Sequence, residues 1–184
     1  MVEWSAELGS DITFFLSRGT AYCTGRGEIM DPIDPPLPSG TPVCLVKFAD
    51  VGLSTPSVFK ALDYGELSTV DPDTTLLPAF LDAGRNSNIL DVPDELFIND
   101  LEPPAFRCVP ELRELKEELL RVPGFRHVMM SGSGTSIFCL GEPEDREAFV
   151  RQFVTERSGG DNNNLQVFFS EFISRPEGVW FERP

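Results

Sequence analysis

Leu112, Leu115, Leu119 and Val122 recur at spacings of three and four, while Glu, Lys and Arg fill most positions between them. That spacing predicts an amphipathic helix over residues 110–122, closed by Pro123-Gly124. Residues 126–130 and 135–140 read as strands, and Gly132-Ser133-Gly134 between them predicts a hairpin, either tight or with a wider loop. Residues 143–157 predict a second helix, with Ala148, Phe149 and Phe153 as its buried stripe and Pro143 suited to its first turn. A flexible polar loop is expected over 158–164 and a last strand over 165–173. Upstream, the apolar residues 43–48 predict a strand. Ser54-Thr55-Pro56 then offers a capping side chain and a first-turn proline, so a helix is expected over 56–62. Residues 63–91 are polar and broken by Pro72, Pro78, Gly84 and Asn86-Ser87-Asn88, which predicts irregular structure around a short helix.

Strand, helix, strand, strand, helix, strand is the split βαβ order of a ferredoxin-like α+β sandwich. Residues 31–42 precede it with prolines at 32, 35, 36, 38 and 42, a density that removes backbone donors and marks a seam. The boundary is placed there. Residues 1–38 are read as the end of one unit plus a Pro-rich linker, and residues 39–184 as a second domain.

The charge narrows the function classes. Fifteen Lys and Arg face thirty Asp and Glu, a net charge of −15, so the surface at large repels polyanions, which argues against a nucleic-acid reader. The longest apolar stretches, residues 128–130 and 137–140, fall far short of the ~20 residues of a membrane-spanning helix. The start carries Glu3 and Glu7 with neither a secretory nor an organelle presequence pattern, so any targeting segment is expected to lie outside this chain. Cys23, Cys44, Cys108 and Cys139 have no CxxC spacing, and His127 is the only histidine. That disfavours structural zinc and points to free thiols in a reducing compartment, Cys139 in the core.

The small residues of Ser131-Gly132-Ser133-Gly134-Thr135-Ser136 let backbone N–H groups converge as phosphate binding requires, although such loops are more often plain turns. The loop has neither the Walker A ending nor the Rossmann fingerprint. Asp11, beside the apolar Phe14-Phe15-Leu16, is placed as a base could be or as a turn aspartate is. Asn99 and Asp100 read as caps of a helix begun by Pro103 and Pro104, and His127 reads as a satisfied structural residue.

Taken in order, Leu8-Gly9-Ser10-Asp11-Ile12-Thr13-Phe14-Phe15, Gly25-Arg26-Gly27-Glu28, Leu53-Ser54-Thr55-Pro56-Ser57-Val58-Phe59, Asn99-Asp100-Leu101-Glu102-Pro103 and Ser131-Gly132-Ser133-Gly134-Thr135-Ser136-Ile137-Phe138 resemble the later part of the 4-diphosphocytidyl-2-C-methyl-D-erythritol kinase family. That family sits in the galactokinase, homoserine kinase, mevalonate kinase and phosphomevalonate kinase superfamily. The resemblance implies ATP- and Mg2+-dependent phosphorylation of the substrate 2-hydroxyl in non-mevalonate isoprenoid synthesis. It implies that Asp11 is the catalytic aspartate, that Thr55 lines the substrate site, and that Gly132, Ser133, Gly134 and Thr135 lie beside the phosphates. It makes residues 1–38 the remnant of an N-terminal kinase domain. Ser10 stands where Ala is usual and Thr135 where Ser or Pro is common, and neither alters charge. The family's N-terminal lysine and its loop of the form Pro-x-x-x-Gly-Leu-Gly-Gly-Gly-Ser-Ser have no counterpart in these residues. A chain inactive by itself is therefore expected, with Phe14, Phe15 and Leu16 exposed and prone to aggregate. Residues 168–184, with Trp180-Phe181, resemble the plant and algal versions, which implies a plastid. The alternative is a non-catalytic module of this fold that binds a ligand or a partner chain.

Overall fold

The computed structural model describes residues 4, 7–9, 11–17, 19–33, 37–86, 89–156 and 164–173. Most of the loop expected at 158–164, the Trp180-Phe181 block, Ser10, Pro35 and Pro36 lie outside the described residues. In chain order the main elements are β1 (Thr20–Thr24), β2 (Ile29–Ile33), β3 (Pro42–Phe48), α1 (Thr55–Lys60), α2 (Leu77–Asn86), α3 (Glu102–Cys108), α4 (Glu111–Leu119), β4 (Phe125–Met130), β5 (Ile137–Gly141), α5 (Arg146–Val150) and β6 (Leu165–Glu171). Two compact units form: Met1–Gly40 with Asp71–Val92 and Phe172–Pro184, and Thr41–Val70 with Pro93–Glu171.

In the first unit, β1 and β2 form an antiparallel hairpin registered from Thr20↔Ile33 to Thr24↔Ile29. Its turn is closed by the Glu28 carboxylate, which accepts the Arg26 N–H at 2.6 Å. Asp11 lies in the turn before a short 3-10 helix, Thr13–Leu16, where Thr13 is buried and Phe15 exposed. The Tyr22 hydroxyl on β1 donates to Asp73 at 2.6 Å.

The stretch 63–91 is more helical than expected. Asp71 accepts the N–H groups of Asp73 and Thr74 and starts a wide helical turn, Pro72–Leu76, that runs into the ten-residue α2. Pro78 falls in the first turn of α2, where a missing N–H costs no intrahelical bond. Leu76, Leu77, Phe80, Leu81 and Ala83 form its apolar stripe.

The second unit is built on a sheet ordered β4-β5-β3-β6, every neighbour antiparallel. Counted within the unit, that is second, third, first, fourth, so each helical crossover spans one intervening strand. This is the ferredoxin-like arrangement expected from the element order. Cys44, Val46 and Phe48 alternate into the core while Leu45 faces outward. Leu112, Leu115 and Leu119 of α4 are fully buried against that face, each contributing about 1.5–3 kcal/mol.

Two expected helix starts differ. Pro143 precedes α5 as a buried residue, and Asp145 caps the helix by accepting the Ala148 N–H at 2.8 Å. Past Val150 the helix widens into the turn Arg151–Glu156. Ser54 makes no side-chain cap on α1, while Pro56 occupies its first turn as expected.

Candidate functional site

The segment between β4 and β5 is the wider of the two hairpin loops the sequence allowed. Ser131 N–H donates to the Ser136 carbonyl at 2.8 Å, and Gly134 N–H donates to the Ser131 carbonyl at 3.0 Å. Gly134 has φ +90°, a backbone conformation that favours glycine, and a Cβ there would come within 2.8 Å of Met130 Sδ, so that side chain would have to shift.

Two sequence-selected hydroxyls meet at this loop. Thr55, in the first turn of α1, lies 2.7 Å from Ser133 Oγ. Thr55 is thus spent on the loop rather than on capping its own helix. Thr135 is buried, and its hydroxyl donates inward to the Val51 carbonyl at 3.4 Å, which ties the end of the loop to the segment leading into α1. Phe59 sits four residues after Thr55, on the same helical face, and is 55% exposed.

Neither Asn99 nor Asp100 is the expected cap of α3, whose N-cap is Leu101 with no side-chain hydrogen bond; Asn99 instead ties the helix start to the loop. Its backbone carbonyl accepts the Glu102 N–H at 2.9 Å, but its Nδ2 donates to the carbonyls of Met130 and Gly132, each at 2.8 Å. Its Oδ1 accepts the Leu101 N–H at 3.0 Å. Asp100 accepts the Ser68 N–H at 2.9 Å. Glu102 and Lys116 escaped sequence reasoning: Glu102 accepts the Met130 N–H at 2.9 Å and, through its other oxygen, Lys116 Nζ at 2.6 Å. Both side chains are largely buried, at 12% and 20% exposure. The available signal was that Lys116 follows Leu112 by four, which places a cation at the edge of the buried stripe.

Asp11 is exposed and belongs to the other compact unit; its charge contributes, after burial, to raising the Cys23 thiol. His127 is buried in the second unit, 2.5 Å from Asp94 Oδ1 and stacked on Phe97 at 3.8 Å, the satisfied role expected of it. All four cysteines are free thiols. Among the described residues no group of three His, Cys, Asp or Glu side chains could hold a metal ion, and no helix is long and apolar enough to cross a membrane. A cavity of about 410 Å³ lies between the end of α4 and the start of α5, lined by Glu118, Arg121, Phe149 and Gln152 among others and none of the loop residues.

Residues 76–159 match the family described as GHMP kinases C terminal. The chain is 40% identical over 186 residues to the chloroplastic 4-diphosphocytidyl-2-C-methyl-D-erythritol kinase of Oryza sativa subsp. japonica, covering 99% of this chain and 42% of the rice protein. It is 37% identical over 161 residues to the kinase of the same name from Protochlamydia amoebophila (strain UWE25), covering 86% and 49%. A crystal structure of 4-(cytidine 5'-diphospho)-2C-methyl-D-erythritol kinase superposes with a TM-score of 0.62 at 28% identity, covering 91% of this chain and 56% of that one. The matched residues carry the Gly-Ser-Gly loop and the strands on either side of it, so over that stretch the chain resembles the C-terminal domains of the GHMP kinase superfamily. Within that superfamily the chain is homologous, over nearly all its length, to the 4-diphosphocytidyl-2-C-methyl-D-erythritol kinases of plants and bacteria, and it spans about half or less of the length of these two curated relatives.

Proposed function

We propose that this chain supplies the C-terminal part of an ATP-dependent kinase that phosphorylates the 2-hydroxyl of 4-diphosphocytidyl-2-C-methyl-D-erythritol, a step of non-mevalonate isoprenoid synthesis, in a plastid. The observation that carries the reading is homology across 99% of the chain, with Thr55 and Ser133 held together at the loop.

In this reading Asp11 takes or orients the substrate hydroxyl proton as the new O–P bond forms and the bond from the γ-phosphorus to the ADP oxygen breaks. Thr55 lines the substrate site, and the exposed Phe59 ring beside it offers a flat apolar face to a planar base. Gly132, Ser133, Gly134 and Thr135 lie beside the phosphates. Mg2+ would arrive with ATP, held chiefly by phosphate oxygens and water; the described residues offer it no ready cluster of ligands. Chloroplastic plant relatives support the plastid assignment. These residues contain no glycine-rich ATP loop, so the chain by itself is inactive in this reading.

The test fuses this chain to the portion of the rice kinase that it does not match. The fusion should phosphorylate the cytidylyl substrate from ATP, the chain alone should not, and Asp11→Asn in the fusion should remove nearly all turnover with little change in substrate affinity. A folded, inactive fusion would overturn the assignment, and a fully active Asp11→Asn fusion would overturn the role of Asp11.

A further inference from the structure

In a trans peptide the carbonyl and the N–H that follows it point in opposite directions. The loop after β4 obeys this at its first step, where the Met130 carbonyl turns to Asn99 while the N–H of Ser131 turns away to the Ser136 carbonyl. The same geometry acts two peptides on. The Gly132 carbonyl is held by Asn99 Nδ2 at 2.8 Å, so the N–H of Ser133 points to the side opposite Asn99. An anion site needs this orientation, because a carbonyl facing a phosphate repels it and an N–H attracts it.

The side-chain amide of Asn99 admits one orientation. It faces two carbonyl acceptors at one end and the Leu101 N–H donor at the other, so flipping it would lose three hydrogen bonds. Three residues on, Glu102 grips the Met130 N–H and is itself fixed by Lys116 on α4. Asn99 and Glu102 together therefore hold Met130 by both its polar backbone groups, at the point where β4 gives way to the loop.

We propose that Asn99 is a positioning residue: by holding the Met130 and Gly132 carbonyls it turns the Ser133 N–H outward to receive a phosphate group of the ligand. This rests on the loop being phosphate-facing. Asn99→Asp keeps the acceptor for Leu101 but sets a carboxylate against two carbonyls and removes both donors. Asn99→Ala removes the donors without adding charge.

The experiment is a titration of the 15N-labelled chain with inorganic tripolyphosphate, following backbone amide shifts, with the thermal midpoint as the measure of folding. In the unmutated chain the Ser133 amide should move more than those of Ser131 and Gly134, whose N–H groups are engaged within the loop. Both Asn99 variants should bind about tenfold more weakly or worse, while Asp100→Asn, which touches Ser68 rather than the loop, should bind normally. Equal binding by folded Asn99 variants would overturn the role of Asn99 and leave the phosphate-facing loop standing. No response of Ser133 in the unmutated chain would overturn both. Because that last comparison needs no variant, the proposal stays open to refutation even if the substitutions impair folding.

Discussion

Cys44 and Cys139 are register partners across β3 and β5, and both are fully buried. Removal from water disfavours the thiolate: burial pushes Cys44 up to about 12 and Cys139 further still, with the charge of Cys44 adding to the second shift. A thiol whose folded-state pKa is raised contributes stability that is complete below its unfolded pKa of about 9 and is lost as pH climbs toward the folded value. Resistance to urea should therefore fall above about pH 9, by up to about 1.4 kcal/mol per pH unit for each thiol. Lysines and tyrosines titrate in the same range, so the informative quantity is the difference between the native chain and a Cys44→Ala/Cys139→Ala variant. The variant should show the shallower alkaline decline; identical slopes would refute burial as the cause. Iodoacetamide should meanwhile label the exposed Cys108 in the folded chain and reach the buried pair only on unfolding.

At the scale of elements, the passage from α4 into β4 depends on two glycines meeting where β5 ends. Gly124 has φ +98°, and a Cβ on it would overlap the Glu142 carbonyl and come within 2.9 Å of the Glu144 N. Gly141 has φ +100°, and its own Cβ would run into the Gly124 carbonyl. Both obstacles are backbone, so neither can step aside as a side chain would. Gly124→Ala should cost ~2–3 kcal/mol in urea unfolding, whereas Gly52→Ala, in open space, should stay within about 0.5 kcal/mol of the parent. A near-neutral Gly124→Ala would mean that the turn relaxes. The sequence announced this turn through Pro123-Gly124, and it announced α4 through its leucine stripe, because both signals are local. It announced only a short helix for the stretch that holds α2, where Pro78 and Gly84 hide the length of a stripe that tolerates one proline in its first turn, and it did not announce the Asp145 cap, which starts α5 beyond Pro143. The Gly-Ser-Gly loop was equally legible, but its supports were not. Asn99 and Glu102 reach Met130 across 31 and 28 residues, and only the folded sheet brings them together.

For the whole molecule, the dominant fact is a net charge of −15. A surface so negative repels anionic ligands in general, so under the proposed function any attraction for a phosphate group rests on local dipoles such as the N–H groups proposed to face outward at the loop. The same excess charge opposes compaction. The exposed ion pairs, Arg107 with Glu66, Arg121 with Glu117 and Arg146 with Glu142, each offset little of it, since exposed pairs contribute about 0–1 kcal/mol; the Lys116–Glu102 pair is more sheltered from screening. Raising the ionic strength from ~0.01 M to ~0.15 M shortens the screening length from about 30 Å to about 8 Å, which shields charges across the molecule far more than partners in contact. The melting temperature at neutral pH should therefore rise with NaCl over that range, by an amount that sodium sulfate at equal ionic strength reproduces or exceeds. A melting temperature that falls with salt would mean that close ion pairs, not repulsion summed over the surface, set the electrostatic balance of the fold.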